Sequence, residues 1–158
     1  HRRPVERLYR LRRKTPQKPF IILVDSLERL TEFGVTITPT QTAFLKKVWP
    51  GKVSVVLPCT EKKFSYLHLG TEALAFRLPR SKKLQTLIRE VGPLVAPSAN
   101  PEGERPAESI REAKAYFGDA VALYVSSTRK IDRRPSTLVS LLGAGPKVLR
   151  EGSAIVKI

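Results

Sequence analysis

The chain has 158 residues, 41% of them hydrophobic, with 29 Lys and Arg against 14 Asp and Glu and a formal net charge of +15; that is enough apolar matter for one ordinary core without a disulfide or metal staple. No apolar run approaches the roughly 20 residues that cross a bilayer, and no apolar stretch follows the basic start of the sequence, so the expectation is a cytoplasmic protein without a membrane span or signal peptide. The charge predicts attraction to polyanions, nucleic acid or phosphorylated ligands, and it is uneven: residues 1–18 hold eight Lys and Arg against Glu6 alone.

Val5, Leu8, Tyr9 and Leu11 fall at helical spacing after Pro4 and predict a short helix that ends before Thr15-Pro16, basic on its far side. The apolar run from Phe20 to Val24 reads as a buried strand, after which Ser26 is expected to cap a helix with Leu27, Leu30 and Phe33 inward and Gly34 at its end. Thr38-Pro39-Thr40-Gln41 has the capping-box pattern with Pro at the first helical position, and Ala43, Phe44, Leu45 and Val48 supply that helix's apolar face. Trp49-Pro50-Gly51 stops it. Strands are predicted from Val53 to Leu57 and from Ala73 to Leu78, with a hairpin or longer loop around Glu61-Lys62-Lys63 between them.

Ser81 is expected to cap a helix carrying Leu84, Leu87, Ile88 and Val91, closed by Gly92-Pro93. A short strand from Leu94 to Ala96 then leads into Pro97-Ser98-Ala99-Asn100. A helix through Ile110, Ala113 and Phe117 to Gly118 follows, and strands are predicted over Val121 to Val125, Thr137 to Leu142, Lys147 to Leu149 and Ala154 to Ile158. Strands that alternate with helices and cluster at the end predict an α/β fold in a single domain, an open, twisted mixed sheet covered by helices.

Familiar catalytic signatures are missing. His1, His68 and Cys59 share no ligand spacing, so no protein-bound metal is expected. No Gly-x-x-x-x-Gly-Lys loop and no Gly-x-Gly-x-x-Gly after a strand is present, so any phosphate is bound another way. Four polar segments stand at predicted strand ends or tight loops: Arg12-Arg13-Lys14, Ser98-Ala99-Asn100 behind Pro97, Ser136-Thr137, and Arg150-Glu151-Gly152. Each alone reads as an ordinary turn or solvated charge.

In order and in register, the chain resembles the YrdC-like family of L-threonylcarbamoyladenylate synthases. The matches are Arg12-Arg13-Lys14 with Lys18-Pro19-Phe20, where the family has Lys-x-Arg then Lys-Pro-Leu; Trp49-Pro50-Gly51 with the strand from Val53; Arg77-Leu78-Pro79; Ala96-Pro97-Ser98-Ala99-Asn100 with Gly103; Pro135-Ser136-Thr137-Leu138-Val139; and Leu149-Arg150-Glu151-Gly152. The resemblance runs from Val5 to Gly152. The family's N-terminal strand and Thr-rich threonine-holding segment have no counterpart in residues 1–158, its basic pair is inverted as Arg12 and Lys14, and Glu102-Gly103 replaces its Ser-Gly.

The resemblance implies a YrdC-like domain over residues 1–158 and a reaction in which threonine's amine takes up bicarbonate to give a carbamate. The carbamate oxygen attacks the α-phosphate of ATP, releasing pyrophosphate and leaving threonylcarbamoyl-AMP for threonylcarbamoyladenosine modification of tRNA. Every participant is an anion, so catalysis is positioning plus electrostatic stabilisation. Arg12, Lys14, Ser98 and Asn100 are then the expected catalytic residues, gathered on one cleft, and Lys18, Arg77, Pro97, Ser136, Thr137 and Arg150 the substrate- and nucleotide-binding ones. Mg²⁺ would travel with the ATP. The implied partners are ATP, L-threonine, bicarbonate, tRNA met through the basic surface, and other tRNA-modification proteins, with no membrane. The competing reading is a basic RNA-binding module of the same fold that makes no adenylate. If the inverted basic pair matters, Arg12→Lys with Lys14→Arg is expected to raise adenylate formation, because a guanidinium fixes two oxygens in a plane and an ammonium is a point donor.

Overall fold

The computed structural model describes residues 1–13, 15, 19–125 and 134–158. The chain forms two compact units, residues 1–17 with 97–133 and residues 18–96 with 134–158. Its helices are α1 (Arg2–Leu11), α2 (Pro39–Val48), α3 (Ser65–His68), α4 (Lys82–Val91) and α5 (Ile110–Phe117), and its strands β1 (Ile21–Leu23), β2 (Val53–Pro58), β3 (Ala73–Arg77), β4 (Leu94–Val95), β5 (Thr137–Ser140) and β6 (Lys147–Arg150). No helix among the described residues is long and apolar enough to cross a membrane.

All six strands belong to the second unit and form one open sheet in the order β4-β1-β3-β2-β5-β6. Pairing is parallel for β1 with β3 and β2 with β5, and antiparallel for β1 with β4, β2 with β3 and β5 with β6, so the sheet is mixed as predicted. Val55 lies opposite Phe76 on one side and Val139 on the other, and all three are fully buried. This row is the centre of the core. Both faces of β2 are covered, which is why its sequence is an apolar run rather than an alternation.

Two helices of this unit, α2 and α4, begin where the sequence predicts. Thr38 Oγ1 accepts from Gln41 N at 3.2 Å and Gln41 Oε1 accepts from Thr38 N at 2.9 Å, a complete capping box ahead of Pro39. Trp49 ends α2 and is buried, its indole Nε1 donating to Val53 O at 2.7 Å, so the helix stop is tied to the start of β2. Ser81 caps α4. The buried stripe of α4 is Gln85 and Ile88, while Leu87 and Val91, expected inside, are exposed. Gln85 Nε2 donates to Pro79 O at 2.6 Å, and that bond fixes the helix rotation which turns Leu87 outward. In α2 only Leu45 of the expected apolar face is buried, and Ala43 is exposed.

Four local expectations are corrected. Residues Glu28–Phe33 form a tight 3₁₀ helix with Leu27, not Ser26, at its N-cap; Leu30 and Phe33 still point inward, and Gly34 closes it in the left-handed region at φ 68°. Six residues between fixed ends give too few turns for a stable α ladder. The β2–β3 connection joins an antiparallel pair, as a hairpin or longer loop would, but carries a 3₁₀ turn, Lys62–Phe64, and the one-turn α3, neither of which was expected. Residues 121–125 are not a strand; Leu123 and Val125 are exposed. Residues 154–158 are not one either, because Ala154 bonds to the Thr137 hydroxyl through both its N–H and its carbonyl. An apolar run becomes a strand only when a neighbour offers ladder partners.

Asp25, at the end of β1, accepts from Arg29 Nε at 2.9 Å and lies 3.6 Å from Arg89 Nε. The Arg29 hydrogen bond is the main cause holding its carboxyl below the usual carboxylate range. A carboxyl whose pKa folding lowers stabilises the fold above its unfolded value, about 3.9, and that contribution is lost as pH falls through the folded value. Asp25→Asn is therefore expected to cost about 1 kcal/mol near neutral pH, a difference that closes as pH falls below about 3.9 and through the folded value. Urea unfolding of both proteins across this range checks it; a gap that persisted at the acid end would contradict the assignment.

Candidate functional site

In the first unit, α1 buries Val5 and Tyr9, and Arg12, its C-cap, follows on the same side and is itself buried. The chain then bends at Arg13, which sits in the left-handed region at φ 48°. Arg12 Nε donates to Asn100 O at 2.8 Å, and its Nη2 reaches Asn100 Oδ1 at 3.2 Å and Ser98 Oγ at 3.3 Å. The Arg12 carbonyl accepts from Glu102 N at 2.7 Å. The Ser98-Ala99-Asn100 loop is therefore built around the guanidinium.

Asn100 holds the loop in shape from its other end. Its Nδ2 donates to Pro101 O at 2.9 Å and to Glu104 O at 2.7 Å. Gly103, at φ 88°, makes the left-handed bend between those two carbonyls at no steric cost. Ala107 N donates to Ala99 O at 2.9 Å and ties down the far end of the segment. Pro97, half-buried, opens the loop, and Ser98 is exposed while Asn100 is buried. Burial pushes the Arg12 guanidinium down from its ordinary value, opposed by the nearby Glu102 and Tyr9; an arginine stays charged through any such shift. The result is a permanent, partly desolvated positive charge with an exposed serine hydroxyl bonded to it.

The second unit carries the other polar cluster. Ser136 and Thr137 open β5 and are buried, and Ser136 Oγ pairs with Ser54 Oγ of β2 at 2.8 Å. Arg150, at the end of β6, donates from Nη2 to Ser136 O at 2.9 Å. The Thr137 hydroxyl accepts from Gly152 N at 3.1 Å and Ala154 N at 3.3 Å and donates to Ala154 O. Its donor and acceptor capacity is taken up within the protein, so Thr137 shapes this turn rather than offering a free hydroxyl. Arg77, ending β3, is half-buried; its Nε is buried without a hydrogen-bond partner among the described residues, and burial pushes its guanidinium down.

Of the residues expected from sequence, the structure thus brings together Arg12, Ser98 and Asn100 in one unit and Ser136, Thr137 and Arg150 in the other. Lys14 and Lys18 lie outside the described residues. Sequence reasoning missed Ser54 and the structural part played by Gly152. The signal for Ser54 was a hydroxyl inside an otherwise apolar strand run, Val53-Ser54-Val55. Among the described residues no group of three or more His, Cys, Asp or Glu stands close enough to hold a metal ion.

Comparison with known proteins gives this geometry a context. The Sua5/YciO/YrdC family model, described as telomere recombination, matches residues 1–152. A threonylcarbamoyl-AMP synthase of Thiobacillus denitrificans is 33% identical over 147 residues, covering 92% of this chain and 77% of that protein. A putative threonylcarbamoyl-AMP synthase of Mycobacterium tuberculosis is 32% identical, covering 85% of this chain and 62% of its own length. Among solved structures, P. abyssi Sua5 complexed with L-threonine superposes with a TM-score of 0.85 at 26% identity, over 95% of this chain and 44% of that one. E. coli YciO has the same fold, at a TM-score of 0.83 and 22% identity over 98% of this chain and 76% of that one. The chain therefore spans about three quarters of some relatives and less than half of others. With the family model running across nearly all of it, the chain belongs to the Sua5/YciO/YrdC family.

Proposed function

We propose that the chain, residues 1–158 acting as one YrdC-like domain, is an L-threonylcarbamoyladenylate synthase. It condenses L-threonine, bicarbonate and ATP to threonylcarbamoyl-AMP and pyrophosphate, with one water leaving as the amine and bicarbonate form the carbamate. The observation that carries the reading is the buried Arg12 guanidinium clasped by Asn100 and Ser98, in a chain whose relatives include named threonylcarbamoyl-AMP synthases. A carbamate and a polyphosphate repel one another, and a fixed positive charge with an adjacent hydroxyl lowers that repulsion without reorganising during reaction.

In this scheme Arg12 and Lys14 neutralise the carbamate and α-phosphate oxygens. Ser98 orients the carbamate by hydrogen bond. Asn100, whose amide is engaged by Arg12, Pro101 and Glu104, is a positioning residue that holds the guanidinium and the loop opened by Pro97. Arg77, Arg150, Lys18 and Ser136 serve the nucleotide, with Thr137 shaping their turn. Mg²⁺ enters as part of the MgATP substrate. The carbamate oxygen forms a bond to the α-phosphorus as the bond to the bridging oxygen breaks, and the electron pair leaves with pyrophosphate. The product would serve tRNA modification in the cytoplasm, together with other tRNA-modification proteins.

Pyrophosphate release is the direct test. It is expected to require threonine and bicarbonate together, and Ser98→Ala is expected to lower kcat by about ten- to a hundredfold while leaving the thermal midpoint close to wild type, since Ser98 is exposed. Tight tRNA binding without threonine-dependent pyrophosphate release would instead favour the RNA-binding module.

A further inference from the structure

The α1 helix presents two faces of opposite chemistry. Val5 and Tyr9 are buried and Leu8 and Leu11 half-buried, whereas Arg3, Arg7 and Arg10 are exposed. At about 100° per residue, the three arginines fall within roughly 60° of one another on the side opposite Val5 and Tyr9, along about 10 Å of helix axis. The helix's one carboxylate, Glu6, borders this stripe about 40° from Arg10, and it accepts from Arg2 at 2.7 Å. The side chains of Arg3 and Arg10 make no hydrogen bond or ion pair among the described residues. Arg7 donates from Nη2 to Ala120 O at 2.8 Å, which steadies its head without neutralising it. Arg13, exposed, continues the positive surface past the helix end.

We propose that this arginine face of α1 docks the phosphate backbone of RNA; the choice of tRNA as the probe rests on the synthase reading, while the docking face itself does not. Three cations in line on one rigid element complement the regular negative charge of a phosphodiester chain. A lipid surface is the other polyanion a basic helix can meet, but interfacial helices insert an exposed apolar face, and the apolar side of α1 is turned into the protein. No exposed aromatic side chain stands on α1 to stack on bases, since Tyr9 is buried. Binding is therefore carried by charge, tolerant of sequence and steeply dependent on salt.

The test follows polarisation of a labelled, unmodified tRNA transcript across a KCl series. The proteins compared are wild type, the triple variant Arg3→Gln, Arg7→Gln, Arg10→Gln, and a control of equal charge change in the other unit, Lys46→Gln, Lys47→Gln, Lys83→Gln, all exposed positions. At about 0.7 to 0.9 per phosphate released, the α1 variant is expected to lower the slope of log K against log salt by about 2 to 3, and affinity at low salt by about tenfold or more. The control is expected to change the slope by less than about 1. Pyrophosphate release stays at wild-type level in both, since none of the six residues belongs to the proposed site. Equal losses in the two variants would assign the effect to net charge and overturn the proposal. So would binding of wild type to phosphatidylserine vesicles but not to tRNA. A wild type that lacks threonine-dependent pyrophosphate release yet keeps the slope difference would remove the synthase reading and leave the docking face standing.

Discussion

Arg12→Lys, alone or with Lys14→Arg, is expected to lower adenylate formation by about a hundredfold or more and to cost about 2 kcal/mol of stability. The inverted basic pair, viewed as sequence, suggests a gain from this double change. The geometry points the other way. Arg12 uses a planar fork to reach Asn100 O, Asn100 Oδ1 and Ser98 Oγ at once. A lysine ammonium has three N–H bonds, but they radiate from one nitrogen on a flexible stem; it cannot stand where both Nε and Nη2 stand, so at least one of Asn100's oxygens is left unpaired, and a buried acceptor without a donor costs about 1 to 3 kcal/mol. Losing that anchor also frees the Ser98-Ala99-Asn100 loop, and a displacement of about 1 Å in groups that position reactants is enough for a rate loss of this size. Arg12→Ala should be worse on both counts. Pyrophosphate release and urea unfolding on the three variants decide the matter; a double variant more active than wild type would show that charge placement, and not the fork, is what position 12 supplies.

Gly152→Ala is expected to destabilise the protein by about 3 kcal/mol and to weaken ATP affinity, whereas Gly145→Ala should stay within about 0.5 kcal/mol of wild type. A Cβ at Gly152 would stand 2.5 Å from Ser136 C and Thr137 N and closer still to Pro135 O. All of these are backbone atoms, which cannot swing aside as a long side chain would. The requirement is for space, because the backbone of 152 passes directly over the start of β5 and its N–H bonds to Thr137 Oγ1. Around Gly145 nothing lies within 4 Å of an added Cβ. Pushing 152 outward also strains Ser153 N to Pro135 O at 2.8 Å and Ala154 N to Thr137 Oγ1, so the Ser136 turn loosens with it. Thermal unfolding and ATP titration of the two variants test this; similar Tm values would mean that the turn is more pliant than its contacts indicate.

Elements with strong local signals were legible before any coordinates. The capping box at Thr38 with Pro39 behind it, the Ser81 cap, the glycine stop at Gly34 and the largely apolar runs of β1 and β2 depend on neighbours only a few residues away, so sequence alone carries them. The mixed character of the sheet was readable for a related reason: strands separated by helices tend to parallel pairing, and strands separated by short turns to antiparallel. The failures, residues 121–125 and 154–158, are apolar runs whose strand character needed a ladder partner that the described residues do not provide.

For the site, sequence by itself determined which residue types stand ready: a charged pair after a helix, a Ser-x-Asn after a short strand, a Ser-Thr opening a strand, an Arg before a glycine. It also determined the strong positive charge and its concentration in residues 1–18. Only the tertiary structure decided what each group spends its bonds on. Arg12 and Asn100 are 88 residues apart and their contact follows from the path of the chain between them, which no local pattern encodes. The same path makes Asn100 a holder of Arg12, makes Thr137 a knot for residues 152–154, and turns Arg3, Arg7 and Arg10 to solvent by burying Val5 and Tyr9 behind them. Side-chain chemistry is written in the chain, but the partner that satisfies or frees each polar group is chosen by packing between distant segments, because a buried donor or acceptor must be paired wherever the fold has left it.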